Sequence, residues 1–288
     1  RLSVRSSVPV RRQLWGWRNY GGILRDIYFR LVPRFWVARM RVTPMLSPDL
    51  KSGTVHVEAT LSNQGFRDLV SDTLERQSET MYGLFVELMD NQSGAVVAQT
   101  PLMPVTAFPG RDLEVETSLP VVNPALWSPA FPHLYTVRAT LVAVRGKIRS
   151  TMDIFARSTG FVQARFEGSR LLVNGTPTVL RGVAWHEDSP SHGASLRYEQ
   201  MERELGVLKA MGVNAVRFPF HPPHPYVLDL CNRYGLFALV ELPVWNVPGA
   251  VLGDDLFQEL AESQARDMVQ RDRIAPSVLA WGIGDELD

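Results

Sequence analysis

The hydrophobic pattern of this chain changes period near residue 160, and that change constrains its fold more than any other feature. Before it, apolar residues alternate. Val55, Val57, Ala59 and Leu61 share one face of the stretch 54–61, with Thr54, His56, Glu58 and Thr60 on the other. Leu84, Val86 and Leu88 repeat the alternation ahead of a turn cluster, Asp90-Asn-Gln-Ser-Gly94. Leu113, Val115, Thr117 and Leu119 do so again, as do Tyr135, Val137, Ala139 and Leu141. Short period-2 strands separated by turn signals predict an antiparallel sandwich. Pro101, Pro104, Pro109, Pro120, Pro124, Pro129 and Pro132 belong to loops or edges, because proline cannot donate to a central ladder. The segment 39–160 has the length of one immunoglobulin-like domain.

After residue 160 continuous apolar stretches replace alternation. Val179–Trp185, Val213–Phe218, Leu236–Leu242 and Val278–Ile283 predict buried strands. Helical spacing connects them: Met201, Leu205, Leu208 and Met211 first, then Tyr226–Tyr234 with Gly235 as its stop, then Leu256, Leu260 and Met268. Four strand–helix alternations predict a parallel sheet, either doubly wound or half of an eight-stranded barrel.

Composition bounds the function. At roughly 150 residues per domain, 288 residues suggest about two domains, and 45% hydrophobic content suffices for a core. No run of 18 apolar residues occurs, so no membrane partner is expected. The single cysteine, Cys231, excludes an internal disulfide and reads as a small buried apolar group. Thirty basic and 30 acidic residues balance. Residues 1–41 are the exception, with ten arginines and one acid, Asp26. Those arginines are interspersed with Trp, Ile, Val and Phe, as on the outer faces of strands, and no nucleic-acid partner is expected. Neither a P-loop nor a dinucleotide fingerprint occurs, so no cofactor is expected. His186 and His192 are six apart across Pro190, and His221-Pro-Pro-His224 cannot be helical, so no metal site is expected either. The start at Arg1 and the stop after an apolar segment predict a piece of a longer protein.

Polar and aromatic residues gather at the carboxyl ends of the four predicted parallel strands. His186, Glu187 and Asp188 follow the first, Arg217 and His221 the second, Glu241 and Trp245 the third, Asp285 and Glu286 the fourth. Ligand sites of parallel α/β folds lie at those ends. Arg217 and Glu241 also fit an ion pair, since buried charges must be paired. Acids beside aromatic rings suit carbohydrate: a sugar's apolar face stacks on a ring, and its hydroxyls need fixed acceptors and donors. Cleaving a glycosidic bond needs a carboxyl that protonates the leaving oxygen and, for retention, a second carboxylate about 5–5.5 Å away.

At this point the chain resembles glycoside hydrolase family 2, which includes β-galactosidases and β-glucuronidases. The stretch 20–28 is similar to the end of the family's sugar-binding jelly-roll domain. Leu126-Trp-Ser-Pro129 with Pro132-His-Leu-Tyr135 resembles a stretch of its immunoglobulin-like domain. Thr159-Gly-Phe161, Leu172-Val-Asn-Gly175 and Leu180-Arg-Gly-Val183 resemble the entry to its catalytic barrel. Asn214-Ala-Val-Arg217 through Cys231-Asn-Arg-Tyr-Gly235 to Glu241 follows one family signature. Arg271-Asp-Arg, Pro276-Ser-Val-Leu-Ala-Trp281 and Gly284-Asp-Glu286 follow the other.

The resemblance implies a multidomain β plus α/β chain. Residues 1–38 would be the last strands of the jelly roll, 39–160 an immunoglobulin-like β-sandwich, and 161–288 the first half of a (β/α)8 TIM barrel. It implies a retaining exo-β-glycosidase with Glu286 as general acid/base and a nucleophilic glutamate beyond this stretch, so residues 1–288 alone would be inactive. Asp188, Arg217, His221, Trp245 and Asp285 would contact a carbohydrate substrate. A homo-oligomer stays open through the full-length parent. The other reading is a non-catalytic carbohydrate-binding or scaffold protein on the same fold.

Four positions depart from the family pattern. Asp285 replaces the usual Asn, whose amide can donate to a sugar 2-hydroxyl; an ionised Asp only accepts. Phe220-His221 replaces His-Tyr, Ile274-Ala275 replaces Asn-His, and Trp185 stands where a polar residue is common. His186-Glu-Asp188 resembles the arrangement in β-glucuronidases.

Overall fold

The computed structural model describes residues 23–63, 81–107 and 110–287. They form two compact units, one comprising residues 29–126 and 133–162, the other residues 23–28, 127–132 and 163–287. Of the strands expected over residues 1–38, those before residue 23 lie outside the described residues; residues 23–35 form none, and the first strand starts at Trp36.

Two antiparallel sheets build the first unit. Its strands are β1 (Trp36–Leu46), β2 (Ser52–Ser62), β3 (Met81–Asp90), β4 (Val96–Gln99), β5 (Met103–Val105), β6 (Asp112–Val122), β7 (Tyr135–Arg145) and β8 (Ile148–Thr159). One sheet runs β1-β2-β6, the other β4-β3-β7-β8 with β5 also on β3. The alternating residues read from the sequence point inward: Val55, Val57, Ala59, Leu61, Leu84, Val86, Leu88, Val137, Ala139 and Leu141 are all buried. Strand β6 differs. It pairs only with β2, and as an edge strand it half-exposes Leu113, Val115 and Thr117 while burying Leu119. Opposite charges sit directly across the ladders, Arg41 against Glu58 and Arg138 against the buried Glu87, the latter pair held at 2.8 and 3.0 Å. The Asp90 turn closes on its own side chain, whose Oδ1 accepts from the Gln92 and Ser93 N–H groups at 2.8 and 2.9 Å.

The second unit opens with a small antiparallel sheet, β9 (Ala164–Glu167), β10 (Arg170–Val173) and β11 (Thr176–Pro177). Next comes the parallel sheet: β12 (Gly182–Ala184), α1 (Tyr198–Ala210), β13 (Ala215–Phe218), α2 (Pro225–Tyr234), β14 (Phe237–Glu241), α3 (Gly249–Leu252), α4 (Asp255–Asp272) and β15 (Val278–Gly282). The spatial order β12-β13-β14-β15 follows the chain with no reversal, the order of a barrel rather than of a doubly wound sheet. The core between sheet and helices includes Met201, Leu205, Val216, Phe218, Leu230, Ala238, Val240 and Cys231, which is fully buried as expected.

Three expectations shift. Strand β12 is shorter than the apolar stretch 179–185, because the Asn214 amide already satisfies the backbone before it: Asn214 Nδ2 donates to the Val179 carbonyl and Oδ1 accepts from Arg181 N–H. Met211, at helical spacing, is 72% exposed because α1 has ended before it. Leu256 and Leu260 are exposed on α4, which buries Met268 instead.

Helix α2 ends as the sequence predicts. Gly235 takes φ 68°, and a Cβ there would lie 2.4 Å from the Pro129 carbonyl oxygen. That carbonyl and the Gly235 carbonyl both accept from Lys209 Nζ. Trp127 fills the floor of the same unit, edge-on to Phe237 and donating its indole N–H to the Asn232 carbonyl at 2.8 Å. The Trp127–Pro132 stretch, read from sequence with the sandwich, thus packs at the amino end of the parallel strands.

Candidate active site

The site is built where the four parallel strands end. Strand β14 ends in Glu241, which is only 8% exposed in its side chain and needs partners for both oxygens. It has them. Oε1 accepts from Arg217 Nε at 2.5 Å, and Oε2 accepts from the Phe220 N–H at 3.1 Å. Arg217, near the end of β13, donates its other nitrogen to Asp285 at 2.7 Å. One guanidinium therefore joins the ends of three strands, and the two carboxylates hold it in its charged form. Gly282 on β15 makes room for this: a Cβ there would lie 2.4 Å from Glu241 Cγ.

Beyond their strand ends, β14 and β15 continue side by side. Asp285 N–H donates to the Val244 carbonyl at 2.9 Å, and Asn246 N–H donates to the Asp285 carbonyl at 3.0 Å. Residues Trp245 and Asp285 are thereby opposed. Gly284 permits the approach, since a Cβ there would meet the Val244 oxygen at 2.9 Å. The register delivers Glu286 to Trp245, whose Nε1–H donates to Glu286 Oε2 at 2.8 Å. Glu286 is exposed and has φ 50°, a left-handed conformation that few non-glycine residues adopt. Phe220 shares that conformation at φ 51°.

Aromatic rings cross the rim in a line. Phe220 lies 5.4 Å from Trp245 and 5.6 Å from His186, centroid to centroid. Burial is the main reason that the His186 imidazolium is disfavoured; Asp188 opposes the shift and Arg217 adds to it. Burial lowers His221 in the same way, with Arg25 and His186 nearby, and its Nδ1 lies 3.3 Å from the Pro222 carbonyl. Deeper still, Glu187 pairs with Arg25 at 3.2 Å and accepts from the His224 N–H at 2.8 Å, while desolvation raises its pKa.

Of the expected site residues, Arg217 and Asp285 touch, and Trp245 touches Glu286. Asp188 lies close enough to His186 to shift its titration. His221 is mostly withdrawn from solvent and lies beside His186 and Arg25. Trp185 turns away from the rim into the core, edge-on to Phe218, with its N–H on Glu204 at 2.8 Å. Ile274 and Ala275 are buried as well. Sequence reasoning missed Phe220 as the ring linking His186 to Trp245, and Arg25 as the partner of Glu187. Phe220 depends on a positive φ in a phenylalanine, which no composition signal marks. Arg25 lies 162 residues from its partner.

Residues 36–161 match the family model described as "Glycosyl hydrolases family 2", and residues 164–287 match "Glycosyl hydrolases family 2, TIM barrel domain". The chain belongs to glycoside hydrolase family 2. It combines that family's sandwich-type domain with part of its TIM barrel domain. A β-galactosidase of Enterobacter cloacae is 32% identical over 277 residues, which cover 94% of this chain and 25% of that protein. A β-galactosidase of Pectobacterium atrosepticum is 29% identical over 283 residues, with the same coverage. Among solved structures, a Bacteroides uniformis β-glucuronidase superposes with a TM-score of 0.79 at 23% identity, covering 94% of this chain and 31% of that one. The chain thus spans about a quarter of the length of the curated relatives it matches.

Proposed function

We propose that the protein to which these residues belong is a retaining exo-β-glycosidase, with Glu286 as its general acid/base. One observation carries the reading. An exposed glutamate in a left-handed conformation stands at the end of β15, with one oxygen fixed by the Trp245 indole N–H at 2.8 Å. That contact orients the carboxyl group and leaves its other oxygen for proton transfer. Glu286 would protonate the leaving oxygen of the substrate while a glutamate from a later barrel strand, outside residues 1–288, attacks the anomeric carbon. The covalent glycosyl-enzyme then yields to water, whose proton the ionised Glu286 takes.

In this reading Asp285 uses the oxygen left over from its Arg217 contact to accept from a sugar hydroxyl. Trp245 offers a ring for the sugar's apolar face, and Asp188 and His221 complete the substrate contacts on the β12 and β13 side. Arg217 fixes Asp285 against the buried Glu241. The substrate is a β-galactoside or a β-glucuronide, the activities that the names of the relatives carry.

The finer domain assignments belong to the same proposal. An immunoglobulin-like topology for residues 39–160 is supported by Tyr135 at the start of β7, whose hydroxyl accepts from the Ala125 N–H at 2.8 Å ten residues upstream. The jelly-roll assignment of residues 1–38 rests on resemblance alone. Residues 161–288 would be the first half of the (β/α)8 barrel, and alone would not turn over glycosides.

The test is hydrolysis of a panel of nitrophenyl β-glycosides by the full-length protein. Glu286→Gln is expected to lower kcat by about 10²–10⁴-fold, the usual scale of general acid–base catalysis. Binding of sugar without hydrolysis by the unmutated protein would favour the non-catalytic carbohydrate-binding alternative.

A further inference from the structure

The rim carries far more negative than positive charge. Asp188, Glu241, Asp285 and Glu286 gather at the strand ends around one guanidinium, that of Arg217. That guanidinium already serves two carboxylates, at 2.5 and 2.7 Å. Releasing it to a ligand would leave the buried Glu241 with a single backbone N–H, a costly state for a desolvated charge. The other arginines nearby are engaged too: Arg25 with Glu187 and the Pro222 carbonyl, Arg271 with Asp272 at 2.6 Å through both nitrogens. His186 and His221 add no countercharge at neutral pH, since burial lowers both pKa values. The remaining surface at the rim is ring: His186, Phe220 and Trp245 in line.

From this arrangement we infer that the site takes β-glycosides whose sugar bears no anionic group, and that Asp285 is the specificity residue that turns uronides away. The inference rests on the glycosidase reading above and selects between the two substrate classes it leaves. A neutral hexose offers hydroxyl donors to Asp285 and an apolar face to Trp245. A uronate would bring its carboxylate among Asp285, Glu286 and Asp188, where no cation among the described residues is uncommitted. One uncompensated like-charge contact of this kind, at the effective dielectric of a partly buried site, corresponds to a discrimination of about 100-fold.

The experiment compares kcat/KM of the full-length protein on 4-nitrophenyl β-galactoside, β-glucoside, β-mannoside and β-glucuronide, with Glu286→Gln and Asp285→Asn alongside. The best neutral glycoside is expected to exceed the glucuronide by about 100-fold or more. Asp285→Asn, which keeps the shape and removes the charge, is expected to narrow that ratio by about 10-fold, chiefly by improving the glucuronide. A glucuronide that equals or outpaces the neutral sugars, and that Glu286→Gln abolishes, would overturn the inference while leaving the catalytic reading intact. An unchanged ratio in Asp285→Asn would overturn the role of that residue. Silence on all four substrates, or turnover indifferent to Glu286→Gln, would overturn the glycosidase reading and this inference with it.

Discussion

Asp90 in the sandwich and Glu187 in the barrel unit are both carboxylates held by backbone N–H groups and one basic side chain, yet their acidities move in opposite directions. Asp90 accepts from the Ser93 and Gln92 N–H groups and from His133 at 2.8 Å, and these hydrogen bonds lower its pKa despite partial burial. Glu187 has one N–H, from His224, and one arginine, Arg25; desolvation outweighs both and raises its pKa. The contrast extends to the units themselves. In the sandwich, charge sits at turns and ladder positions around an apolar core. In the barrel unit, charge is drawn in beneath the strand ends, where each carboxylate depends on a particular donor. A fold can be stabilised by the first arrangement; a site needs the second, because groups aimed at a ligand must be held before it arrives.

The largest effect on stability should come from the sandwich. Leu141 is fully buried mid-strand in β7, and Leu141→Ala is expected to cost about 3 kcal/mol in urea unfolding, with kcat of the folded fraction unchanged. A loss of kcat in that variant would break the division of labour between the units. Next is Gly235→Ala, where a positive φ and the Pro129 carbonyl 2.4 Å from the new Cβ together cost about 2 kcal/mol. An unchanged denaturation midpoint there would remove the stop signal from the account of α2.

Glu241→Gln sharpens the comparison from the other side. Arg217 keeps Asp285 and is 39% exposed, so the expected loss of stability is only about 1 kcal/mol. Its effect on kcat/KM should be proportionally much larger, because Phe220 and Asp285 lose their common anchor. Equal effects on stability and activity would show that the network holds the fold and nothing more.

The smallest effect is in the pH dependence of stability, and its sign differs between the two carboxylates. The contribution of Asp90 is present above the ordinary value of 3.8 and is lost as pH falls through the lowered folded value. That of Glu187 is present below the ordinary value of 4.5 and is lost as pH rises through the raised folded value. The stability difference between wild type and Asp90→Asn should therefore grow from pH 2 to 5. That between wild type and Glu187→Gln should fall from about pH 4 upward. Parallel slopes in chemical denaturation would contradict the contrast.

Much of the fold was legible because periodicity reports burial. Val55 to Leu61 and Tyr135 to Leu141 alternate in the sequence and point inward in the structure, and the four apolar stretches after residue 160 lie side by side in order. Strand ends were less legible. Periodicity could not show that the Asn214 amide would close the chain before β12, or that α1 would stop short of Met211. In the site, the residue types at the strand ends were visible, including the pairing of Arg217 with Glu241. What stayed hidden were contacts made by backbone conformation or by distant segments: Phe220 at positive φ between two rings, Trp245 brought to Glu286 by register, and Arg25 beside Glu187. Such contacts depend on three-dimensional closure, which leaves no local pattern.

The role of Glu286 is tested most directly by the leaving-group dependence of a Glu286→Gly variant of the full-length protein, with and without azide. If Glu286 protonates the departing oxygen and later activates water, the glycosylation step should be slowed strongly for a methylumbelliferyl β-glycoside. It should be nearly unaffected for a 2,4-dinitrophenyl β-glycoside, whose leaving group needs no proton. Azide, which needs no general base, should then speed turnover of the dinitrophenyl substrate and yield a β-glycosyl azide. Equal slowing of both substrates with no azide product, or wild-type rates in the variant, would contradict the assignment.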